Sequence, residues 1–183
     1  ALTGAEVDAQ NVLFNFHKTQ YLLSANQVHL SIPDSELIVD SIKYYVSTSD
    51  EQFFSKSKFR QTRFRFDIPK IKIIGLDCPG LIKGNIYKAR SINIQDIFAD
   101  ILVNEDKPYD TTSSNPLMPN EFFLSIKDTI KLDSLNIKNG LLKYRERFSI
   151  DKTPALITFN RIKILVANIS NHKTLPDTTI VYG

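Results

Sequence analysis

Residues 91–96 read Ser-Ile-Asn-Ile-Gln-Asp, and residues 134–139 read Ser-Leu-Asn-Ile-Lys-Asn. In the first four residues of both segments every second side chain is apolar, which is the pattern of a β-strand with one apolar and one polar face. The segments begin 43 residues apart, and each continues into a second strand-like run. The similarity predicts internal repeats near 91–103 and 134–144, each built from a pair of long strands.

The same alternation of apolar and polar residues recurs along much of the chain. It is found at 28–32, 64–68, 71–73 and 161–164. Pro33-Asp34 follows the first of these runs, and proline there presets the backbone for a type I turn into a return strand at 36–47. We therefore predict an all-β fold: an elongated, curled, mainly antiparallel sheet with an apolar groove and minimal helix.

Only two short segments favour helix. Ser49 is a suitable N-cap for a turn at 50–54, and Pro119 is a suitable start for a turn through 124. Turn chemistry also predicts a sharp turn at Cys78-Pro79-Gly80 and a bulge or turn at Asn139-Gly140. Residues 107–120 and 171–177 are expected to be loops.

Length and composition limit the function classes. The chain has 183 residues, a net charge of +3, one cysteine and three histidines. One cysteine excludes an internal disulfide framework and a cysteine-based metal cluster. The chain starts without Met and stops within a strand-like run, so we interpret 1–183 as a single β-rich segment of a longer protein.

No motif for catalysis or cofactor binding is present. The glycines do not fit a phosphate-binding or dinucleotide-binding loop, and there is neither a nucleophile elbow nor a His-Glu-x-x-His motif. His17 and His29 lack a third metal ligand, and Cys78 lacks a nearby base. Asp96 and Asp100, four apart, are better explained as carboxylates on a solvated face than as a catalytic pair. We expect no catalytic residue, no metal site and no cofactor.

A basic stretch between 56 and 66 has two interpretations. Its lysines and arginines are interleaved with phenylalanines, a combination that can neutralise phosphates and stack on bases. Strict alternation from Arg63 to Phe66 favours phenylalanines on an apolar face and charges in water, and the small net charge opposes nucleic-acid binding. Anionic lipid headgroups are a third potential partner.

A longer succession of motifs resembles AsmA-like proteins, related to TamB, of Gram-negative envelopes, particularly the Bacteroidota type. It comprises 71–77 (IKIIGLD), then 91–94, then Asn104-Glu105-Asp106-Lys107-Pro108 before a Pro-rich loop, and finally 130–146 (IKLDSLNIKNGLLKYRE). The resemblance covers about 28–169. It implies an elongated β-sheet with an apolar groove, a periplasmic location with an inner-membrane anchor elsewhere in the parent chain, and a role in outer-membrane biogenesis and lipid transport.

These observations predict a lipid-binding surface. The side chains that recur at alternate positions of the strand-like runs are expected to form one apolar lining for acyl chains of phospholipid: Phe64, Phe66, Ile71, Ile73, Ile92, Ile94, Leu135, Ile137, Ile162 and Ile164. The alternative is a structural or adhesive β-sandwich, whose apolar faces close on each other and whose edge strands bind a protein partner. An envelope protein is a further candidate partner, and nucleic acid is not expected.

Overall fold

The computed structural model describes residues 4–16, 19–84, 86–111, 123–149 and 151–171. The fold is all-β, as predicted: eight strands form one large mixed sheet. The strands are β1 (Glu6–Asn15), β2 (Tyr21–Ser31), β3 (Glu36–Val46), β4 (Thr62–Ile74), β5 (Ile86–Gln95), β6 (Phe98–Asn104), β7 (Thr129–Arg147) and β8 (Ala155–Ser170).

The first four strands form an antiparallel meander. β5 and β6 together act as one interrupted strand, because β5 pairs with the second half of β4 and β6 with the first half. Both then pair with β7, and β8 returns antiparallel beside β7. Across the sheet there are thus seven strand positions, with β1 and β8 at the two edges.

The two similar segments lie side by side, 91–103 on β5 and β6 and 134–144 on β7 alone. The prediction that each forms a pair of strands is therefore wrong for the second segment. β7 runs parallel to β5 and β6, and the pairing places Ser91 beside Ser134 and Ile94 beside Ile137. The offset seen in the sequence is the register of this pairing. Like side chains consequently meet across the strands: Asn136 donates to Asn93 at 3.5 Å, and Asn139 donates to Asp96 at 2.5 Å.

Local turn chemistry explains most connections. The turn at Pro33 is confirmed, since Ser35 N donates to Ile32 O at 3.1 Å. The first predicted helical turn is confirmed as helix α1 (Asp50–Ser55), in which Ser49 Oγ accepts from Gln52 N. Of the second, residues 123 and 124 are helical, and 119–122 lie outside the described residues. The predicted loops at 107–120 and 171–177 lie largely outside the described residues too.

The sharp turn predicted at Cys78-Pro79-Gly80 is wrong, because these residues begin helix α2 (Cys78–Lys83). Pro79 lies in the first turn, where a missing N–H costs nothing. Asp77 supplies the N-cap by accepting from Gly80 N at 3.1 Å. The motif is therefore a helix start instead of a chain reversal.

A line of kinks crosses the sheet, and we call it the crease. Five of the seven strand positions hold a left-handed residue near the middle, at φ between 53° and 57°, and β2 and β4 hold none. The five residues are Asn11, Ser41, Asp96 (between β5 and β6), Asn139 and Arg161. Asn, Asp and Ser tolerate this conformation best because their side chains bond to nearby backbone. The predicted bulge at Asn139-Gly140 is part of the crease, where the register between β7 and β8 shifts.

Candidate functional site: an uncovered apolar face

One face of the sheet consists of five apolar rows that run across all seven strand positions. Within each half of the sheet, successive members of a strand lie two residues apart, as strand geometry requires. At the crease they lie three apart. In five strand positions the extra residue is left-handed, whereas β2 and β4 make the same step without a left-handed residue. In β8 the step lies one row further along than in the other strands. The apolar set thus stays on one face through the bend.

The rows follow from the strand pairings. Rows 1 and 2 lie on one side of the crease. Row 1 consists of Val7, Leu30, Leu37, Ile73, Ile92, Leu135 and Val166. Row 2 consists of Ala9, Val28, Val39, Ile71, Ile94, Ile137 and Ile164. Rows 3, 4 and 5 lie on the other side. Row 3 consists of Val12, Ala25, Ile42, Ile68, Ile97, Gly140 and Ile162, and row 4 of Phe14, Leu23, Tyr44, Phe66, Ala99, Leu142 and Phe159. Row 5 consists of Phe16, Tyr21, Val46, Phe64, Ile101, Tyr144 and Ile157.

All ten residues predicted as a lining lie in these rows. Ile73, Ile92 and Leu135 are neighbours in row 1. Row 2 holds four in succession: Ile71, Ile94, Ile137 and Ile164. Ile162 lies in row 3 opposite Gly140, Phe66 in row 4, and Phe64 in row 5. The rings of Phe64 and Phe66 stack at 6.4 Å, and Phe66 also stacks on Tyr44.

This face is open to water over most of its area. Of the residues in the five rows, only Tyr21, Ala25 and Gly140 are buried, and none of the ten predicted residues is. Phe159 and Ile164 on β8 are 50% and 42% exposed, and Phe14 on β1 is 57% exposed. No described strand or helix forms a second layer over rows 1 to 4. A contiguous uncovered apolar surface of this kind marks an interaction or ligand site.

The row 5 end of the face is closed by α1. Phe53 packs edge-to-face on Tyr21 at 5.8 Å, and Tyr21 stacks on Tyr44 at 4.6 Å. The Tyr21 hydroxyl accepts from Phe64 N at 3.0 Å, and burial raises the pKa of this phenol. Phe54, 2% exposed, packs under the Arg147 guanidinium at 4.8 Å. Tyr21, Phe53, Phe54 and Leu102 form a buried hydrophobic cluster at this end, and Leu76, Cys78 and Leu132 are buried elsewhere.

The opposite face is polar and is held by cross-strand pairs. His29 bonds to Asp8 at 2.8 Å, Lys72 pairs with Glu36 at 2.7 Å, and Lys70 pairs with Asp40 at 3.2 Å. The hydrogen bond to Asp8 raises the pKa of His29. These pairs join β1 to β2 and β3 to β4, so charge patterning and apolar patterning specify the same two faces.

The basic stretch supplies ion pairs in this polar face. Arg63, 3% exposed, pairs with Asp50 at 3.0 Å and with Asp100 at 2.8 Å. Arg145 also pairs with Asp100, at 2.6 Å. Burial raises the pKa of Asp100, but the hydrogen bonds from Arg145 and Arg63 outweigh it and lower the pKa below its ordinary value. Arg60 pairs with Glu105 and stacks on the Tyr109 ring.

The groups considered for chemistry are separate. Cys78 is buried, and burial and Asp77 raise the pKa of its thiol. Asp96 lies on the crease and is exposed, whereas Asp100 is ion-paired and 6% exposed, so the solvated face predicted for both carboxylates is wrong for Asp100. Within the described ranges no three His, Cys, Asp or Glu side chains are grouped as metal ligands would be, and His17 and His172 fall outside those ranges. No helix in the described part of the chain is long and apolar enough to span a bilayer.

Sequence reasoning missed most of the apolar face. It did not predict β1, and it assigned no role to the apolar residues of β1, β2 and β3. The signal was available, since Leu37, Val39, Ile42, Tyr44 and Val46 show two-residue steps interrupted by one three-residue step. A search for strict alternation stops at that step, whereas the same interruption, filled by two polar residues, occurs in strand after strand.

Comparison with protein-family models, with curated proteins and with solved structures found no match to this chain. The resemblance to AsmA-like proteins therefore stays a prediction from the quoted motifs.

Proposed function

We propose that this chain is a non-enzymatic segment of a periplasmic envelope-biogenesis protein, and that its apolar face shields or conveys the acyl chains of phospholipid. The observation that carries the proposal is the apolar face itself. Five apolar rows extend over seven strand positions, and the described residues leave them uncovered. The envelope role, the periplasmic location and a parent chain anchored in the inner membrane follow from the resemblance to AsmA-like proteins.

The dimensions of the face suit an extended hydrocarbon chain. Strands lie about 4.8 Å apart, so six spacings between β1 and β8 span about 29 Å. Burial contributes about 0.8 kcal/mol per methylene, so a chain of about sixteen carbons gains up to about 12 kcal/mol before ordering costs. No row includes a charged side chain. Retention by such a surface needs no specific hydrogen bond.

The polar residues support a passive role. The carboxylates nearest to arginines form ion pairs that link neighbouring strands and α1. Asp100, for example, pairs with both Arg63 and Arg145. A carboxylate with a lowered pKa is a poor proton donor or acceptor at neutral pH. These pairs stabilise the sheet and leave acyl-chain binding to the other face.

The alternative function, a module that binds protein through its edges, is favoured by one observation. β1 and β8 have no described strand on their outer sides. The closed sandwich that accompanied this alternative requires two sheets packed face to face, and the described strands form a single sheet. Edge binding and acyl-chain binding use different surfaces, so they are compatible.

The proposal is tested by native mass spectrometry of the protein, produced in a Gram-negative host and purified under conditions that keep bound lipid. We expect adducts with masses of phospholipids, reduced in an Ile71→Asp/Ile137→Asp variant that places two charges on row 2. A matched Asn93→Asp/Asn136→Asp variant places two charges on the polar face, on β5 and β7, and should keep the adducts. Absence of lipid from the parent protein, or equal loss in both variants, would contradict the proposal.

A further inference from the structure

The two outer edges of the sheet, which no described strand covers, match each other. Along β8 the apolar face presents Val166, Ile164, Ile162, Phe159 and Ile157 in rows 1 to 5. Along β1 the same five rows end in Val7, Ala9, Val12, Phe14 and Phe16. If β1 of one copy lies antiparallel to β8 of another, every row continues into the next copy with an apolar residue on both sides of the joint.

Strand direction permits this arrangement without turning the second copy over. β1 and β3 run in one direction with β5, β6 and β7, whereas β8 runs in the opposite direction. A second copy placed beside β8 in the same orientation therefore presents β1 antiparallel to β8. Its apolar face lies on the same side of the extended sheet.

The crease also continues across the joint. β1 is kinked at Asn11 with φ 53°, and β8 is kinked at Arg161 with φ 57°. Two kinked edges can pair along their whole length only when their kinks fall at nearly the same level. In the register that matches the rows, Asn11 lies between rows 2 and 3 and Arg161 lies between rows 3 and 4. The two kinks are thus offset by one row. The kinks at Asn139 on β7 and Arg161 on β8, which are paired within the sheet, have the same offset.

Charge selects this joint over pairing of like edges. β1 carries Glu6 and Asp8 and no basic residue, and β8 carries Arg161 and Lys163 and no acidic residue. In the matched register Lys163 lies diagonally beside Asp8, within reach across a strand pair. Two β8 edges paired antiparallel about Ile162 would instead place Arg161 opposite Lys163, and like charges in opposition are destabilising.

We propose that the outer edges of β1 and β8 form a head-to-tail interface between two copies of this chain, which extends the apolar face from one copy to the next. Long, exposed edges with apolar side chains are templates for strand addition unless they are blocked. Because the joint uses different surfaces on the two copies, it repeats without closing and gives chains of copies instead of a two-fold dimer. The interface does not depend on lipid binding.

Disulfide trapping tests the register. Ala9→Cys and Ile164→Cys are made as separate variants, mixed and oxidised; Cys78 is buried and remains as a silent background. We expect the mixture to form a dimer that contains one of each variant. Val12→Cys mixed with Ile164→Cys is the matched control, one row out of register, and should crosslink at least tenfold less. Equal crosslinking in both mixtures would overturn the proposal.

Sedimentation velocity of the unmodified protein gives an independent readout. We expect the weight-average sedimentation coefficient to rise steadily with concentration and to fall back to the monomer value in Lys163→Glu. Asp8→Lys alone should also be monomeric, but mixing it with Lys163→Glu should restore chains in which the two variants alternate, since the β1 edge of each variant then matches the β8 edge of the other. A monomer at every concentration, or an assembly unaffected by both variants, would overturn the interface whether or not lipid binds.

Discussion

Ile94→Asp distinguishes an open apolar face from a closed core. Ile94 is half-buried in row 2 between Ile71 and Ile137, and no described element lies over it. Full burial of an isoleucine is worth about 1.5–3 kcal/mol, so losing half of it costs about 1 kcal/mol. The poor strand propensity of Asp adds up to about 1 kcal/mol. On an open face the carboxylate reaches water, so we expect a loss of about 2 kcal/mol in the free energy of unfolding.

Leu132→Asp is the matched control, because Leu132 is 7% exposed and its cross-strand partners, Ala89 and Ile169, are apolar. A carboxylate there has neither water nor a charged residue opposite it, and the cost of burying it, several kcal/mol, should unfold the protein. Urea denaturation followed by the β-sheet circular dichroism signal measures both variants. If Ile94→Asp unfolds the protein as Leu132→Asp does, the face is covered in solution and does not bind acyl chains.

Three further predictions concern the backbone and the ion pairs. Gly75→Ala should lower the free energy of unfolding by about 2 kcal/mol in urea denaturation, because φ is +68° and the new methyl would lie 2.7 Å from Arg90 Cβ. Gly84→Ala is the control: its φ is +76° but it has no neighbour within 4 Å, so the free energy of unfolding should fall by only about 1 kcal/mol. Asn139→Val places a β-branched residue in the left-handed crease and should cost about 2 kcal/mol by the same assay, whereas Asn139→Gly should be nearly neutral. The ion pairs that lower the pKa of Asp100 contribute their full stability above the ordinary carboxyl pKa of about 3.9, and this contribution is lost as the pH falls through the lowered pKa. Asp100→Asn should therefore lower the free energy of unfolding by about 3 kcal/mol at pH 7 in urea denaturation. The difference between this variant and the parent protein should narrow toward pH 3. An equal gap at both pH values would show that the ion pairs with Arg63 and Arg145 are not the cause.

Periodicity predicted the fold class because alternation is a property of single strands. The runs at 64–68, 71–73 and 91–94 became parts of β4 and β5, and the ten apolar residues chosen from such runs all lie on one face. Alternation cannot assign strand order, so it could not show that β7 pairs in parallel with β5 and β6. The in-register similarity of 91–96 and 134–139 indicated a relation between these segments without giving its geometry.

The crease escaped sequence reasoning for a physical reason. A left-handed residue inserts one position into the apolar period, so Val39 and Ile42, on either side of Ser41, share a face although their spacing is odd. Asn, Asp and Ser at the kink resemble ordinary turn or surface residues when each is considered alone. Their meaning emerges only when the strands are aligned, since six of the seven strand positions then show the interruption between rows 2 and 3. Helix α2 was missed similarly, because Asp77 as a cap outweighs the turn signal of Pro79 and Gly80.

Tryptophan quenching by a fatty acid brominated along its chain tests the acyl-chain surface most directly. The chain contains no tryptophan, so a single substitution gives an unambiguous signal. Ile164→Trp and Leu165→Trp are adjacent on β8 and replace exposed side chains, 42% and 76% exposed, on the apolar and polar faces respectively. We predict saturable quenching of Ile164→Trp and little quenching of Leu165→Trp at the same fatty acid concentration. Equal quenching of the two variants, or none in Ile164→Trp, would contradict an apolar face that binds acyl chains.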